Sequence, residues 1–274
     1  MHKNKNITLK KENLEIYYEE FKNESNIKSL WTIVILHWWW WSSHNWLMVW
    51  KLLFEAWFDL IIPDLPGFWK TKINKVYELE DYANIIEQFI KELDLKNIIL
   101  WWHSNGWAIS IQIAIRNNIN ISNLILNNSA WIRNDTKRSL KRKILNNFTK
   151  VIKKVLSIIP PRKNWNKSNN YYKKIRKLFY KAIWWQDYLN AENNPFLKET
   201  YLNMIKNDLS KDVFKIKQNT LLIWWKNDRY TPLNDWLYLK DNIINSKIII
   251  LENEKHWIHL TSPEKLVNTF LNNI

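Results

Sequence analysis

Four consecutive tryptophans, Trp38 to Trp41, follow His37 directly after the apolar run Thr32–Leu36. A turn at a strand end favours glycine, which reaches positive φ angles and lets backbone segments approach closely. The composition shows the same imbalance, because the 274 residues include 2 Gly and 20 Trp, whereas glycine is normally about 7% of a protein. One hypothesis is that most Trp letters stand at glycine codons, with UGA read as Trp in place of Gly. The alternative is a genuinely Trp-rich binding protein, which turn chemistry disfavours.

Length and composition limit the class of protein. A chain of 274 residues with 46% hydrophobic residues suits one α/β core with an insertion. The chain has no Cys, which excludes disulfides and thiolate metal sites, and its six His include no H-E-x-x-H motif. No apolar stretch approaches about 18 residues, and the N-terminal residues show no signal peptide, so we expect a cytoplasmic protein without metal or cofactor.

Short apolar runs alternate with helical patterns, which predicts a mainly parallel sheet flanked by helices. The predicted strands are 7–9, 14–18, 32–36, 59–62, 97–100, 123–126, 220–223 and 247–251, with helices at about 44–56, 79–93, from the turn at Ser104 to 117, after 232 and from 263. The alternation breaks after residue 130. We therefore predict an α/β core made of residues 1–131 and 213–274, with a helical lid inserted at 132–212.

The turn after the fifth predicted strand reads Trp102-His103-Ser104-Asn105-Gly106. With glycine at 102 it becomes G-x-S-x-G, the nucleophile elbow, placed between a strand and a helix as that motif requires. The sharp turn exposes the serine hydroxyl, and the residues two before and two after must be tiny so that strand and helix do not collide. The alternative is that Ser104 only caps the following helix.

The elbow and four further segments together resemble the α/β-hydrolase superfamily over nearly the full chain. Besides the elbow, residues 37–41 are similar to the family's H-G-W-G-G oxyanion segment, which would keep Trp39 as a real tryptophan. Residues 63–69 resemble its P-D-L-P-G-F-G turn. Residues 221–228 resemble its L-L-I-W-G-x-x-D strand end, and residues 256–260 its H-x-x-H-L segment.

This resemblance implies a catalytic triad of Ser104 as nucleophile, His256 as base and Asp228 as the acid, in the chain order of this fold. The backbone N–H groups of Trp39 and Asn105 would bind the oxyanion. We expect a cofactor-free serine hydrolase that cleaves a carboxylic ester or similar acyl bond of a small molecule. Thioesterase, carbon–carbon hydrolase, acyltransferase, haloperoxidase and non-catalytic ligand-binding members of the fold stay open, whereas Ser at the elbow excludes relatives with an Asp nucleophile.

The remaining polar candidates have plainer interpretations. We expect His37 to pack the turn, Asp64 to accept hydrogen bonds within its turn, and His44 and His259 to be structural or exposed. The resemblance implies that His103, inside the elbow, points away from the substrate. The glycine hypothesis also defines the protein variant in which the predictions are tested. A chain with Gly at 38, 40, 41, 69, 102, 107, 225 and 257 is called the eight-glycine chain below.

The positive charge is concentrated in one segment. Residues 132–183 carry 17 Lys and Arg against one acid, Asp135, in a chain of net charge +15. An amphipathic helix with solvated lysines is the simplest interpretation. Weak contact with an anionic membrane surface that holds a lipid ester and steering of an anionic substrate are the alternatives. We expect no nucleic-acid partner, since no recognition motif accompanies the charge, and the sequence leaves the oligomeric state open.

Overall fold

Eight strands form one sheet in the computed structural model, which describes residues 1–22, 29, 31–37, 42–103, 107–128, 191, 194–226, 233–252, 254 and 257–274. The strands in chain order are β1 (His2–Leu9), β2 (Leu14–Phe21), β3 (Thr32–Leu36), β4 (Asp59–Pro63), β5 (Ile98–His103), β6 (Ile121–Asn127), β7 (Asn219–Trp225) and β8 (Ser246–Leu251).

The sheet order is β1-β2-β4-β3-β5-β6-β7-β8. β1 and β2 form an antiparallel hairpin, and β2 is antiparallel to β4. Every other neighbouring pair is parallel. A parallel sheet with an antiparallel edge is common among α/β folds, and the predicted α/β-hydrolase architecture with its N-terminal hairpin is confirmed.

Five of the described α-helices lie between strands, and the last two follow β8. A 3₁₀ turn at Ser43–Trp46 leads into the first α-helix. The helices are α1 (Leu47–Glu55), α2 (Leu79–Glu92), α3 (Trp107–Arg116), α4 (Pro195–Met204), α5 (Leu233–Asn242), α6 (Ile258–Thr261) and α7 (Pro263–Leu271).

The helices bury both faces of the sheet. Along β3, Ile33 and Ile35 belong to an apolar cluster that α1 and α7 cover. Val34 and Leu36 point the other way, into a cluster covered by α2, α3 and α5. A strand that is buried on both faces reads as a continuous apolar run, which is why the segment was recognisable from its sequence.

The end of one strand and the place of one helix differ from the prediction. β5 continues three residues past the predicted end at 100, because residues 101–103 pair in register with Ile125, Leu126 and Asn127 of β6. Within the predicted lid, α4 packs on the core, where Thr200 accepts a hydrogen bond from the backbone N–H of Tyr77 at 2.9 Å. Residues 129–190 lie outside the described part, so the division into core and lid stays a prediction.

The end of α1 places a tryptophan where helices favour glycine. Trp57 has φ 69°, its N–H donates to Phe54 O at 3.0 Å, and the N–H of Phe58 donates to Leu53 O at 3.1 Å. These two bonds define a Schellman motif, whose left-handed residue is usually Gly. Trp69, in the turn that follows Gly67, also has a positive φ, 48°. Bulky residues rarely adopt this conformation.

Other tryptophans are buried without a hydrogen-bond partner. Within the described residues, the indole nitrogens of Trp101, Trp102, Trp224 and Trp225 have no partner, and all four side chains are fully buried. A buried N–H without an acceptor costs about 1 to 3 kcal/mol. Glycine would remove this cost at 102 and 225, where the hypothesis places it, and the hypothesis itself stays a prediction.

We expect Trp57→Gly to raise the free energy of unfolding of the eight-glycine chain. The left-handed conformation costs an L-residue about 1 to 2 kcal/mol, and the side chain of Trp57 is 57% exposed, so little burial is lost. After subtracting the backbone entropy that glycine loses, the net gain is about 1 kcal/mol, measurable by denaturant unfolding. Trp31→Gly is the control, because Trp31 is half-buried at 37% exposure and lies outside the positive-φ set. An equal gain at both positions would contradict the assignment.

Candidate active site

The predicted catalytic segments all follow strands that end at one edge of the sheet. β3, β5, β6 and β7 are parallel neighbours, so their carboxyl ends share that edge, where open α/β sheets bind ligands. Ser104 follows the last residue of β5, and Asp228 comes three residues after β7. Ser104, Asn105, Trp39, Asp228 and His256 lie outside the described residues, so their roles stay predictions.

The residues that flank two of these positions are in contact. His103, which precedes Ser104, and Trp257, which follows His256, have ring centroids 6.4 Å apart. His103 also lies 4.6 Å from His259 of α6. The chain therefore brings the segments that carry the predicted nucleophile and the predicted base to the same place at the sheet edge.

The end of β7, three residues before Asp228, is held from the neighbouring strand. β6 lies between β5 and β7, which puts their ends roughly 9 to 10 Å apart at about 4.8 Å per strand. Asn128, just after β6, accepts a hydrogen bond from the N–H of Trp225 at 3.1 Å and donates its own N–H to Ile223 O. Its φ is 39°, a conformation that Asn tolerates. Sequence reasoning missed this residue, because its partner Trp225 lies 97 residues away in the chain.

An aromatic cluster supports the same edge from one face. His259 is buried and stacks on Trp46, with centroids 4.9 Å apart and an interplanar angle of 18°. His103, 1% exposed, meets the edge of Trp46 at 5.9 Å. The expectation that His259 and His44 are structural or exposed agrees with the structure, because His259 packs in this cluster and His44 is exposed.

His37 packs the turn that begins the predicted oxyanion segment. Its Nε2 accepts the N–H of Leu65 at 3.0 Å, and its ring meets the edge of Phe68 at 5.7 Å. A ring nitrogen that accepts a hydrogen bond carries no proton. The separation of 3.9 Å between His37 Nε2 and Asp64 is therefore not an ion pair, and the expectation that His37 is a turn-packing residue fits the structure.

Asp64 serves its turn as an acceptor, as expected. Its carboxylate accepts from the N–H of Ser43 at 2.9 Å and from the N–H of Lys70 at 3.3 Å, while its own N–H donates to Tyr17 O. Burial raises the pKa of Asp64 to about 6, and the nearby charge of Glu19 also raises it. Hydrogen bonds from the backbone N–H groups of Ser43 and Lys70 and from the Ser43 side chain act in the opposite direction. The carboxylate thus stays largely ionised at neutral pH.

The described residues offer neither a metal site nor a membrane span. Among the described residues, no group of three or more His, Asp or Glu could hold a metal ion. None of the helices in the described ranges combines the length and apolarity that a bilayer span requires. The basic segment 132–183 lies outside those ranges, so its proposed contact with an anionic surface stays a prediction.

A comparison with known families agrees with this geometry. A sequence model of the alpha/beta hydrolase fold matches residues 32–263, a span that includes β3 to β8 and every predicted catalytic position. The chain belongs to this family of hydrolases.

Relatives in the family are distant but cover most of the chain. An uncharacterized hydrolase, YugF, of Bacillus subtilis is 22% identical over 92% of this chain and 91% of its own length. The pimeloyl-[acyl-carrier protein] methyl ester esterase of Wigglesworthia glossinidia brevipalpis is 26% identical over 84% of this chain and 88% of its own length. Among solved structures, an esterase from Exiguobacterium antarcticum superposes with a TM-score of 0.70 at 20% identity, with 98% of each chain covered.

Acidification should stabilise the folded protein through Asp64. Because the pKa is raised from 3.8 in the unfolded chain to about 6 in the folded one, the folded state binds the proton more tightly, and this contribution appears as pH falls through 6 and is lost as pH rises. We expect the unfolding free energy of the eight-glycine chain, minus that of its Asp64→Asn variant, to rise by about 1 kcal/mol as the pH is lowered from about 7 to about 5.

Glu20→Gln is the control for this measurement, because the pKa of Glu20 is shifted in the opposite direction. Burial alone would raise the pKa of Glu20, but its hydrogen bonds to Lys5 and Lys22 lower it. Its stabilising contribution is therefore lost only as pH falls below about 4.5. A difference for Asp64→Asn that shrinks or stays level between pH 7 and pH 5 would contradict the raised pKa.

Proposed function

We propose that the protein is a serine hydrolase that cleaves a carboxylic ester of a small molecule through Ser104, His256 and Asp228. The main support is that His103, just before Ser104, and His259, three residues after His256, have ring centroids 4.6 Å apart at the carboxyl edge of the sheet. The chain order of the three residues and the strand–turn–helix context of Ser104 add to it. No cofactor enters this chemistry.

The reaction follows from the functional groups. Ser104 Oγ attacks the ester carbonyl while His256 takes its proton, and Asp228 orients the imidazole and stabilises the imidazolium. The N–H groups of Trp39 and Asn105 hold the oxyanion, each worth about 3 to 4 kcal/mol. The tetrahedral intermediate expels the alcohol, which receives the proton from His256. Water, deprotonated by the same histidine, then hydrolyses the acyl-enzyme to release the acid.

Ester substrates are favoured over the other acyl-transfer classes by the relatives. One relative is named a methyl ester esterase, and a solved structure with the same fold is an esterase. Both cover nearly the full chain. The proposal therefore names a carboxylic ester, while the acyl group is set by the segment between β6 and β7, which these distant relatives do not define.

Ser104→Ala should abolish ester hydrolysis. In the eight-glycine chain we expect turnover of a short-chain aryl ester, and the alanine variant should lose at least about a thousandfold in kcat, because the nucleophile acts as a unit with its base. A fluorophosphonate probe should label the parent chain and leave the variant unlabelled. Asp228→Ala and His256→Ala should each cause a comparable loss of kcat.

Ser110→Ala is the matched control. Ser110 is fully buried on α3, the helix that follows the elbow, so its loss tests the helix without touching the nucleophile. Turnover and labelling should persist in this variant. A folded parent chain that the probe does not label at Ser104 would overturn the proposal, and labelling without turnover would move the substrate to a narrower ester class.

A further inference from the structure

Two buried carboxylates from different strands meet at one serine beside the predicted oxyanion segment. Ser43 donates its backbone N–H to Asp64 at 2.9 Å and its hydroxyl to Glu19 at 3.1 Å. Glu19 lies on β2 and Asp64 follows β4, and both are buried, as is Ser43. We propose that Glu19 and Asp64 are positioning residues that hold the chain after β3 in the form that oxyanion binding requires, which rests on the function proposed above.

Asp64 ties three backbone segments together. Its carboxylate accepts from Ser43 and Lys70, and its N–H donates to Tyr17 O at 2.8 Å. The same carboxylate therefore fixes the start of the 3₁₀ turn that follows the oxyanion segment and the end of the turn that begins at residue 63. An aspartate that only closed its own turn would not need the bond to Ser43.

Glu19 holds the same serine from the antiparallel edge of the sheet. Its Oε1 accepts from Ser43 Oγ and, at 3.4 Å, from the hydroxyl of Tyr17. Its Oε2 lies 2.8 Å from Nε2 of His2. Each carboxylate oxygen thus has a partner, as a buried charge requires.

The two ends of the oxyanion segment are both anchored. At its start, His37 accepts the N–H of Leu65. At its end, the N–H of Ser42 donates to Asn45 at 3.0 Å, and Ser43 is held by the carboxylate pair. Only four residues, 38–41, separate the anchored ends. We therefore expect the two carboxylates to influence the short segment between these ends.

The expected effect falls on kcat rather than on KM. Neither carboxylate is placed to touch the reacting atoms, so each acts through the geometry of the N–H donors. An oxyanion donor contributes mainly in the transition state, and a misplacement of about 1 Å in a catalytic group can cost about a hundredfold in rate. A purely structural role would lower stability without this selective loss of kcat.

The test uses neighbouring buried glutamates on the same strand. In the eight-glycine chain, Glu19→Leu and Asp64→Asn should lower kcat for the aryl ester about 10- to 100-fold with KM changed less than about threefold. Each oxygen of Asp64 accepts a backbone N–H, from Ser43 or from Lys70, so the amide nitrogen of the Asn variant would face one of these donors. Glu19→Gln keeps the acceptor for Ser43 and should restore most of kcat. Glu20→Leu is the matched control, because Glu20 is equally buried but pairs with Lys5 and Lys22, and it should leave kcat unchanged.

A second readout is independent of turnover. Amide hydrogen exchange over residues 42–46 should be at least about tenfold faster in Glu19→Leu and Asp64→Asn than in Glu20→Leu. If Glu19→Leu does not fold, Ser43→Ala, which removes only the hydroxyl, replaces it in both measurements. Equal exchange in the Glu19 and Glu20 variants would overturn the proposal, whether or not the chain hydrolyses esters.

If the eight-glycine chain shows no serine-dependent turnover, the proposed function is wrong, and the hydrogen-exchange result alone decides the positioning role. Conversely, serine-dependent turnover with an unchanged kcat in Glu19→Leu and Asp64→Asn would defeat the positioning role alone. The two proposals therefore fail separately.

Discussion

The parallel pairing of β3, β5, β6 and β7 is the constraint on which the site depends. Parallel strands place their carboxyl ends at one edge, and the in-register ladder from Trp101–Ile125 to His103–Asn127 carries β5 to that edge. Residues far apart in sequence can then share a site when each follows one of these strands. The predicted nucleophile, acid and oxyanion segments meet this condition, and the predicted base follows β8, which is parallel to β7.

Parallel strands also create a problem at that edge, because backbone groups there leave the ladder and need other partners. The structure solves this with side chains. Asn128 accepts the N–H of Trp225, and Asp64 accepts those of Ser43 and Lys70. The bond to Ser43 holds the residue two positions after the predicted oxyanion segment, so the proposed positioning role uses an interaction that also satisfies the backbone.

Sequence patterns predicted the elements whose burial is simplest. β3 was found residue for residue, since both of its faces are apolar, whereas the end of β5 was missed because Trp101, Trp102 and His103 do not read as a strand. Glu19, Ser43 and Asn128 were also missed. Their importance arises from contacts 24 to 97 residues away in the chain, and local spacing contains no signal for such pairs. The triad positions were proposed from motif resemblance, not from periodicity.

The tryptophans connect this edge to the composition of the chain. Trp57 completes both bonds of a Schellman motif and Trp69 sits in a turn at φ 48°, so the backbone at these positions adopts the conformation that glycine supplies without strain. Neither backbone conformation depends on the indole, because both side chains are mostly exposed. The backbone at 57 and 69 therefore favours glycine, although the sequence has Trp at both positions. Glycine at 102 and 225 stays a prediction, and its support is that both indoles are fully buried and that their N–H groups have no partner within the described residues.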